Sequence, residues 1–450
     1  MTWLRFARLK IRADFSSGVV VWFVAGICLQ AASFAYYVRR TSVLLPFSDA
    51  LVWIASFLSV RRWGEVPSYL WAWHNEHHLV WIRILTAVDV TMFAGRGIVL
   101  VVVASVAMLA TAAICVVQMR WASLFSGRLW PLALLGPMLL LSAADATDCG
   151  LPIDAVYPLT SVFMLASLVL FDGAETPWNR TTWRRMAAIL AAMAAGFSNA
   201  VGLAIWPVLL WAAWRGRTPQ SWQAAVAVIG AFYIWLYVNG IPLTPGSGGA
   251  AASASVLAHA SHISAYLLTY LGLPFSLATW LVLPGRLFGA VVLFLSLFVV
   301  VADGLSQRDI GRGHRIAVGL VLLGLGIALL AAIGRTDMSA PVMVPSRYTP
   351  FVALLHVGLI WQLLPRIESW ASTSVRHRAV QAAAMVMVAV VLSAQVMIGQ
   401  ALARWSDRYA EAARRFLQGD NNPAILAVVY SDDTQALQLR ALLLAHGVPR

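Results

Sequence analysis

The chain has 450 residues, of which 60% are hydrophobic and 11% charged, whereas soluble domains contain about 25% charged residues. This composition excludes an ordinary soluble protein and predicts one that lies in a lipid bilayer. The net charge of +13 does not indicate a nucleic-acid partner, because the basic residues are almost all Arg and fall in short segments between apolar runs. Such a distribution is typical of the loops that set the orientation of membrane helices.

Apolar runs along the chain are long enough to cross a bilayer as helices. Runs of 19 to 22 residues occur at 97–118, 221–239, 315–333 and 379–398, and a hydrocarbon core of roughly 30 Å needs about 20 residues. Helices are favoured because lipid offers no partner for a free backbone amide. We therefore predict an all-α polytopic membrane protein. Its odd number of cysteines, three in all, indicates neither a disulfide framework nor a metal knuckle.

The arginines predict the topology of the first half. With the basic N-terminus in the cytoplasm, a retained first helix at about 17–37 leads into a long periplasmic loop, 38–96. The helix at 97–118 returns. Helices at 129–143 and 155–171 then flank an outside loop, "ADATDCGLPID".

The second half contains two irregular segments. Arginines at both ends of 186–214, with "FSNAVG" in the middle, predict two short helices in a hairpin, because Asn and Gly permit a turn. Segment 263–283 is interrupted by "GLP" and is expected to be re-entrant or interfacial. The remaining helices are expected at 221–239, 287–302, 315–333, 348–364 and 379–398. The transmembrane domain thus covers 1–398, and 399–450 forms a small periplasmic segment of helix, loop, strand ("AILAVVY") and helix.

The first periplasmic loop is too long to be a simple connection. "DALVWIASFLSVRRWGEV" and "HHLVWIRILTAVDVTMF" have apolar residues at helical spacing, which predicts helices lying in the membrane interface. The tryptophans of this loop are expected to form an interfacial belt; they are Trp53, Trp63, Trp71, Trp73 and Trp81.

The same loop carries candidate functional residues. Asp49 follows the exit of the first helix directly, and a polar cluster lies further on, comprising His74, Asn75, Glu76, His77 and His78. Asp49 is either a general base or, beside Ser48, only a helix cap. The cluster is expected to bind a polar substrate or the loop itself. A divalent metal is the alternative, which adjacent histidines on one helix face do not favour, so no metal or other cofactor is predicted.

These features resemble the GT-C class of integral-membrane glycosyltransferases. The resemblance rests on an acid directly after the first helix, on the interfacial helices, and on the stretches "LWAWHNEHHLVWIRIL", "GFSNAVGLAIWPVLL" and "GRTDMSAPVMVPSRYTPF". It implies a bundle of about 10–12 helices in a bacterial inner membrane. It also implies an inverting transfer of sugar from a polyprenyl-phosphate donor to a glycan or lipid-linked acceptor at the periplasmic face. Asp49 matches the base of the class, whereas Ala50 replaces the second acid found in some members.

A leaving polyprenyl phosphate requires a cation, and the Arg guanidinium matches phosphate bidentately. Arg347, beside Tyr348 at the start of a helix, and Arg335 lie on a second outside loop and are the donor-phosphate candidates. Their alternative role is to pair with lipid headgroups. Arg61, Arg62 and Arg83 are secondary candidates.

Three other functions compete with this prediction. A transporter or flippase would carry ionisable residues within its helices, marking a pathway, whereas the polar groups here gather near the outer surface. A polysaccharide polymerase or ligase would be expected to have its long loop late in the chain. A non-catalytic partner in envelope polysaccharide assembly would tolerate substitution of Asp49.

Overall fold

A computed structural model gives the fold of the chain. It describes residues 17–74, 77–121, 124, 129–172, 178–239, 260–273, 275–277, 282–306, 311–334, 344–430 and 432–448.

The described residues are almost entirely helical. In chain order the helices are α1 Ser17–Thr41, α2 Asp49–Leu58, α3 Val66–Trp71, α4 Val80–Phe93, α5 Ile98–Trp121, α6 Trp130–Ala133, α7 Leu135–Leu140, α8 Ala143–Gly150, α9 Val156–Phe171, α10 Trp178–Ser198, α11 Ile205–Arg215, α12 Gln220–Val238, α13 Ala260–Leu271, α14 Val282–Val299, α15 Arg312–Ile333, α16 Thr349–Trp370, α17 Ser374–Leu417, α18 Pro423–Val429 and α19 Asp433–Ala445. A two-residue antiparallel hairpin pairs β1, Trp73–His74, with β2, His77–His78.

Nine helical segments of the described chain are long and apolar enough to cross a membrane. The chain is therefore a multi-pass α-helical membrane protein, as the composition predicts. The expected hairpin at 186–214 adds α10 and α11, which are separated by a 3-10 turn at Ala200–Ala204. Asn199 makes the break by accepting a hydrogen bond from the amide of Val201. The first helix of this hairpin, α10, begins at Trp178 and has 21 residues, so it is longer than the sequence predicts.

The structure corrects the prediction for 129–154. Instead of one helix followed by an outside loop, this stretch is the broken series α6, α7 and α8, and all eight residues of α8 are buried. α8 packs against α1 and α5. The acids predicted to lie in a solvated loop, Asp145, Asp148 and Asp154, are therefore inside the protein.

Segment 263–283 does not form a spanning helix in its described part. α13 has 12 residues, which gives a length of about 18 Å, too short for a bilayer. It lies antiparallel against α14, because a Cβ on Gly289 would meet the carbonyl oxygen of Leu268 and one on Gly272 would meet that of Gly285. This geometry agrees with the expectation that α13 does not cross.

The C-terminal segment differs from the sequence prediction in two ways. α17 is one continuous helix of 44 residues, about 66 Å long, so it extends well beyond a bilayer core of roughly 30 Å. The predicted strand "AILAVVY" is wrong, because these residues form α18, begun by the side chain of Asn422 and by Pro423. The segment packs against α2, which places the first loop and the C-terminus at the same end of the bundle.

Ion pairs join the arginine-rich loops at the opposite end. Arg315 binds Asp172 at 2.9 Å, and Arg366 binds Asp303 through Nη2 at 2.7 and 2.9 Å. We call this the arginine-rich end and call the other, with the first loop, the site end. A cavity of about 520 Å³ opens at the arginine-rich end, lined by Asp303, Gly311, His314, Gln362, Pro365, Arg366 and Ser369.

Candidate functional site

A pocket of about 160 Å³ at the site end brings together residues that are distant in sequence. It lies where the first loop meets the ends of α9, α10 and α16. Its lining contains two acids, one arginine, two histidines and several aromatic rings: Asp49, Trp53, His74, His77, Leu79, Ile153, Asp154, Val156, Tyr157, Asn199, Val201, Arg347 and Tyr348.

Asp49 is the first residue of α2 and is directed at the pocket rather than at the helix terminus. Its Oδ2 lies 3.3 Å from Nε2 of His74, and its side chain is 44% exposed. The residue preceding the helix is Ser48, whose side chain makes no capping hydrogen bond. A carboxylate in the first helical turn is also favoured by the helix dipole. Because its side chain is partly exposed, Asp49 remains accessible to a substrate hydroxyl, as a general base must be.

The β1–β2 hairpin holds His74 and His77 at the pocket. Its anchor is His78, which is buried between the rings of Trp71 and Trp73, with ring centroids 4.1 and 3.8 Å away. The amide of His78 also donates to the hydroxyl of Tyr237 in α12 at 3.0 Å. Burial lowers the pKa of His78, so this ring is neutral and acts as a structural core. His77, which precedes it in sequence, and His74, which pairs with His77 across the hairpin, line the pocket.

Arg347 lies opposite, in the 3-10 turn Ser346–Tyr348 that leads into α16. Its Nη1 is 3.9 Å from Oδ1 of Asp154, and its guanidinium lies over the ring of Tyr157, 5.7 Å from the centroid. Within the described part of the chain, its buried Nε–H has no acceptor. A fixed guanidinium with a spare donor, near the N-terminus of a long helix, is suited to binding an anion.

A second contact fixes the same turn from below. The hydroxyl of Ser346 donates to Oδ1 of Asp148 in α8 at 2.9 Å, and both Asp148 and its neighbour Asp145 are fully buried. Asp145 is paired with Ser142. Burying a carboxylate is expensive unless it is hydrogen-bonded or paired. The hydrogen bond to Asp148 supports the turn that carries Arg347, whereas Asp145 is bonded at the start of α8.

The structure unites most of the predicted site residues in the pocket. Asp49, His74, His77, Arg347 and Tyr348 all line it. Asn75, Glu76 and Arg335 lie outside the described residues.

The secondary phosphate candidates lie elsewhere. Arg61 and Arg62 are exposed, and their backbone amides donate to Glu65. Arg83 is buried against the ring of Tyr69. None of these three lines the pocket.

The structure corrects the prediction of an interfacial tryptophan belt at Trp53. Only Trp63, which is 91% exposed, is open on most of its surface. Trp53 is 2% exposed and belongs to the pocket wall.

Sequence reasoning missed Asp154, Tyr157 and Asn199. A signal for Asp154 was present, because "ADATDCGLPID" places three acids within an otherwise apolar stretch. The sequence pattern predicts an outside loop there, whereas the structure buries Asp154. Among the described residues, no group of three or more His, Cys, Asp or Glu side chains is placed to hold a metal ion.

Comparison of the chain with protein-family models, curated proteins and solved structures gives no match. The functional argument therefore depends on the chemistry of the pocket itself.

Proposed function

We propose that the chain is a GT-C-like glycosyltransferase of the bacterial inner membrane. It would transfer a sugar from a polyprenyl-phosphate carrier to a glycan or lipid-linked acceptor, with inversion at the anomeric carbon. The observation that carries the proposal is that Asp49 and Arg347, selected separately as base and phosphate ligand, line one pocket. The two belong to different elements, α2 and the turn before α16, so their meeting does not follow from local sequence.

The pocket supplies the groups that a single displacement requires. The acceptor hydroxyl attacks the anomeric carbon and gives its proton to Asp49, whose Oδ2 lies 3.3 Å from Nε2 of His74. The bond from the anomeric carbon to the phosphate oxygen breaks, and the negative charge of the leaving polyprenyl phosphate is met by Arg347. Asp154 and Tyr157 hold that guanidinium in place. Asn199 and His77 complete the polar lining for sugar hydroxyls.

The charge distribution supports a periplasmic orientation for the pocket. Arg315 and Arg366 pair with acids at the end opposite Asp49, and positive charge is retained on the cytoplasmic side. In the described chain, nine apolar segments together with α10 and α11 are compatible with a GT-C bundle of about 10–12 helices. In this arrangement a bilayer-resident donor lipid would reach the pocket from the outer leaflet.

One observation favours a transporter or flippase as the second candidate. Asp145 and Asp148 are fully buried in α8, and intramembrane acids often mark a transport pathway. Asp148 accepts a hydrogen bond from Ser346, however, which assigns it to support of the turn that carries Arg347, and Asp145 is hydrogen-bonded to Ser142 at the start of α8. A flippase would move a lipid-linked sugar across the membrane of a liposome without consuming it. A transferase would consume the polyprenyl-phosphate sugar donor even in detergent.

The decisive test is Asp49→Asn, which preserves size but removes the proton acceptor. We expect the kcat of sugar transfer to fall by roughly 100-fold or more, with donor-lipid binding retained. The matched control is Asp433→Asn, because Asp433 also occupies the first turn of its helix and is exposed. Transfer by Asp49→Asn at the wild-type rate would exclude Asp49 as the base.

The phosphate ligand is tested by donor-lipid binding. Arg347→Lys should weaken binding as Arg347→Ala does, because an ammonium cannot reproduce the guanidinium fork. Arg366→Ala is the control at the opposite end, since its partner is Asp303. Equal donor affinity in Arg347→Ala and the wild type would place the phosphate elsewhere.

A further inference from the structure

The C-terminal segment contributes a wall directly behind the base. An apolar cluster joins it to the first loop and to the residue before Pro152. The cluster comprises Val43, Phe47, Leu51, Ile54, Leu151, Ala412, Ala413, Phe416, Leu426, Val429, Ala436, Leu443 and Val448. Phe47 and Leu51, which flank Asp49, are fully buried in it. The position of Asp49 therefore depends on residues more than 350 positions later in the chain.

Ser48 holds a strained backbone conformation at this junction. Its φ is 50° and its ψ is −134°. Residues other than glycine rarely adopt this backbone conformation, whereas glycine adopts it freely. The amide of Ser48 donates to the carbonyl of Val429, at the end of α18, at 2.7 Å. Strain of this kind persists only where the surroundings enforce it. Here Val429 and the burial of Phe47 are the enforcing contacts.

Two tyrosines of the C-terminal segment lie near the residues that precede Asp49. Tyr430 follows Val429 directly, and its pKa is raised by burial and by the negative charge of Asp49, so the phenol stays protonated beside that carboxylate. Tyr409 of α17 packs against Phe47, with ring centroids 5.2 Å apart and ring planes tilted by 56°.

We propose that the C-terminal segment is a positioning element for the catalytic base: its docking holds Ser48 in the strained conformation that directs Asp49 into the pocket. The proposal rests on the proposed function, in which Asp49 is the base. The segment itself needs no contact with substrate. It acts through the hydrogen bond from Ser48 to Val429 and through the apolar cluster.

The test first weakens the docking of the C-terminal segment and then relieves the strain at Ser48 that this docking maintains. Leu426→Ala truncates a side chain that is 3% exposed in the cluster, and Val428→Ala, at a position 36% exposed on the same helix, is the matched control. When the segment is loosened, Ser48 can leave its strained conformation, and fewer molecules hold Asp49 in the pocket. We expect kcat to fall about tenfold, because strain of this kind costs on the order of 1–3 kcal/mol. KM for donor and acceptor should not change, because Arg347 and His74 stay in place.

Rescue separates positioning from damage to the fold. Adding Ser48→Gly to Leu426→Ala lets residue 48 adopt the required φ without strain, so kcat should recover by roughly threefold or more. A general loss of folded protein would not recover, because glycine only adds entropy to the unfolded chain. Each kcat is expressed per donor-binding site, so that inactive protein does not count.

Hydrogen exchange of the backbone amides of residues 47–52 measures the contact without any enzyme assay. Faster exchange in Leu426→Ala than in Val428→Ala, together with rescue by Ser48→Gly, supports the proposal. If exchange accelerates but kcat per binding site does not change, or if Ser48→Gly fails to rescue, the proposal is overturned. If the wild type transfers no sugar, the proposed function fails, and unchanged exchange in Leu426→Ala would then overturn the docking contact independently.

Discussion

The pair formed by Arg347 and Asp154 gives a prediction that does not depend on the identity of the substrate. Nη1 of Arg347 lies 3.9 Å from Oδ1 of Asp154, and the two side chains are 33% and 9% exposed. We consider the single substitutions Arg347→Ala and Asp154→Asn and the double substitution. Each single change removes one charge and leaves the other without its partner inside the protein.

The geometry sets the size of the effect. Two unit charges 3.9 Å apart attract each other by about 4 kcal/mol at an effective dielectric constant of about 20. The exposed third of Arg347 is screened by water, and Asp154 loses hydration on burial, so the net coupling is smaller. We expect a coupling energy of about 1–3 kcal/mol, within the range measured for residues in direct contact. Arg347→Ala should therefore destabilise the protein more in the wild type than in the Asp154→Asn background.

The assay is equilibrium unfolding of the four proteins in mixed micelles, followed by far-UV circular dichroism. The double-mutant cycle isolates the coupling from the separate effects of each substitution. If the two substitutions are additive within about 0.5 kcal/mol, Asp154 does not hold the guanidinium, and the support proposed for the phosphate ligand is wrong.

Two further predictions concern parts of the fold away from the pocket. Burial raises the pKa of Asp172 from 3.8 to about 6 although Arg315 opposes the shift, so the folded state binds this proton more tightly than the unfolded state. Its stabilising contribution is complete below about pH 4 and is lost as the pH rises through 6, and the stability of wild type relative to Asp172→Asn should fall by roughly 2–3 kcal/mol between pH 4 and 7. Gly289→Ala should destabilise the protein by about 1–3 kcal/mol, because its Cβ would collide with the carbonyl oxygen of Leu268. Gly326→Ala is the control, with nothing within 4 Å of the added Cβ, and a stable Gly289→Ala protein would refute the close approach of α13 to α14.

The sequence alone identifies only some of the residues of the candidate site. Asp49 could be selected because it follows the first membrane helix, and Arg347 because it precedes another. Nothing local shows that the two share a pocket, or that Asp154 pairs with Arg347. These relations depend on the order in which helices pack, which periodicity does not encode.

The C-terminal segment shows where a local pattern is ambiguous. "AILAVVY" is a short apolar run, which fits a strand or a buried helix equally well. Asn422 and Pro423 carry a local start signal for a helix, but the decisive factor is packing. In a helix, Leu426 and Val429 lie three residues apart on one face, and both are buried in the cluster behind α2.

The sequence alone determined the class of protein and most of the helix positions, because lipid imposes length, apolarity and internal hydrogen bonding on each segment separately. It also determined the break at Asn199, whose side chain accepts a hydrogen bond from the nearby amide of Val201. Only the tertiary structure decided the burial of the acids in α8, the strain at Ser48 and the docking of the C-terminal segment. Those features arise from contacts between segments distant in the chain, and no property of a single segment fixes them.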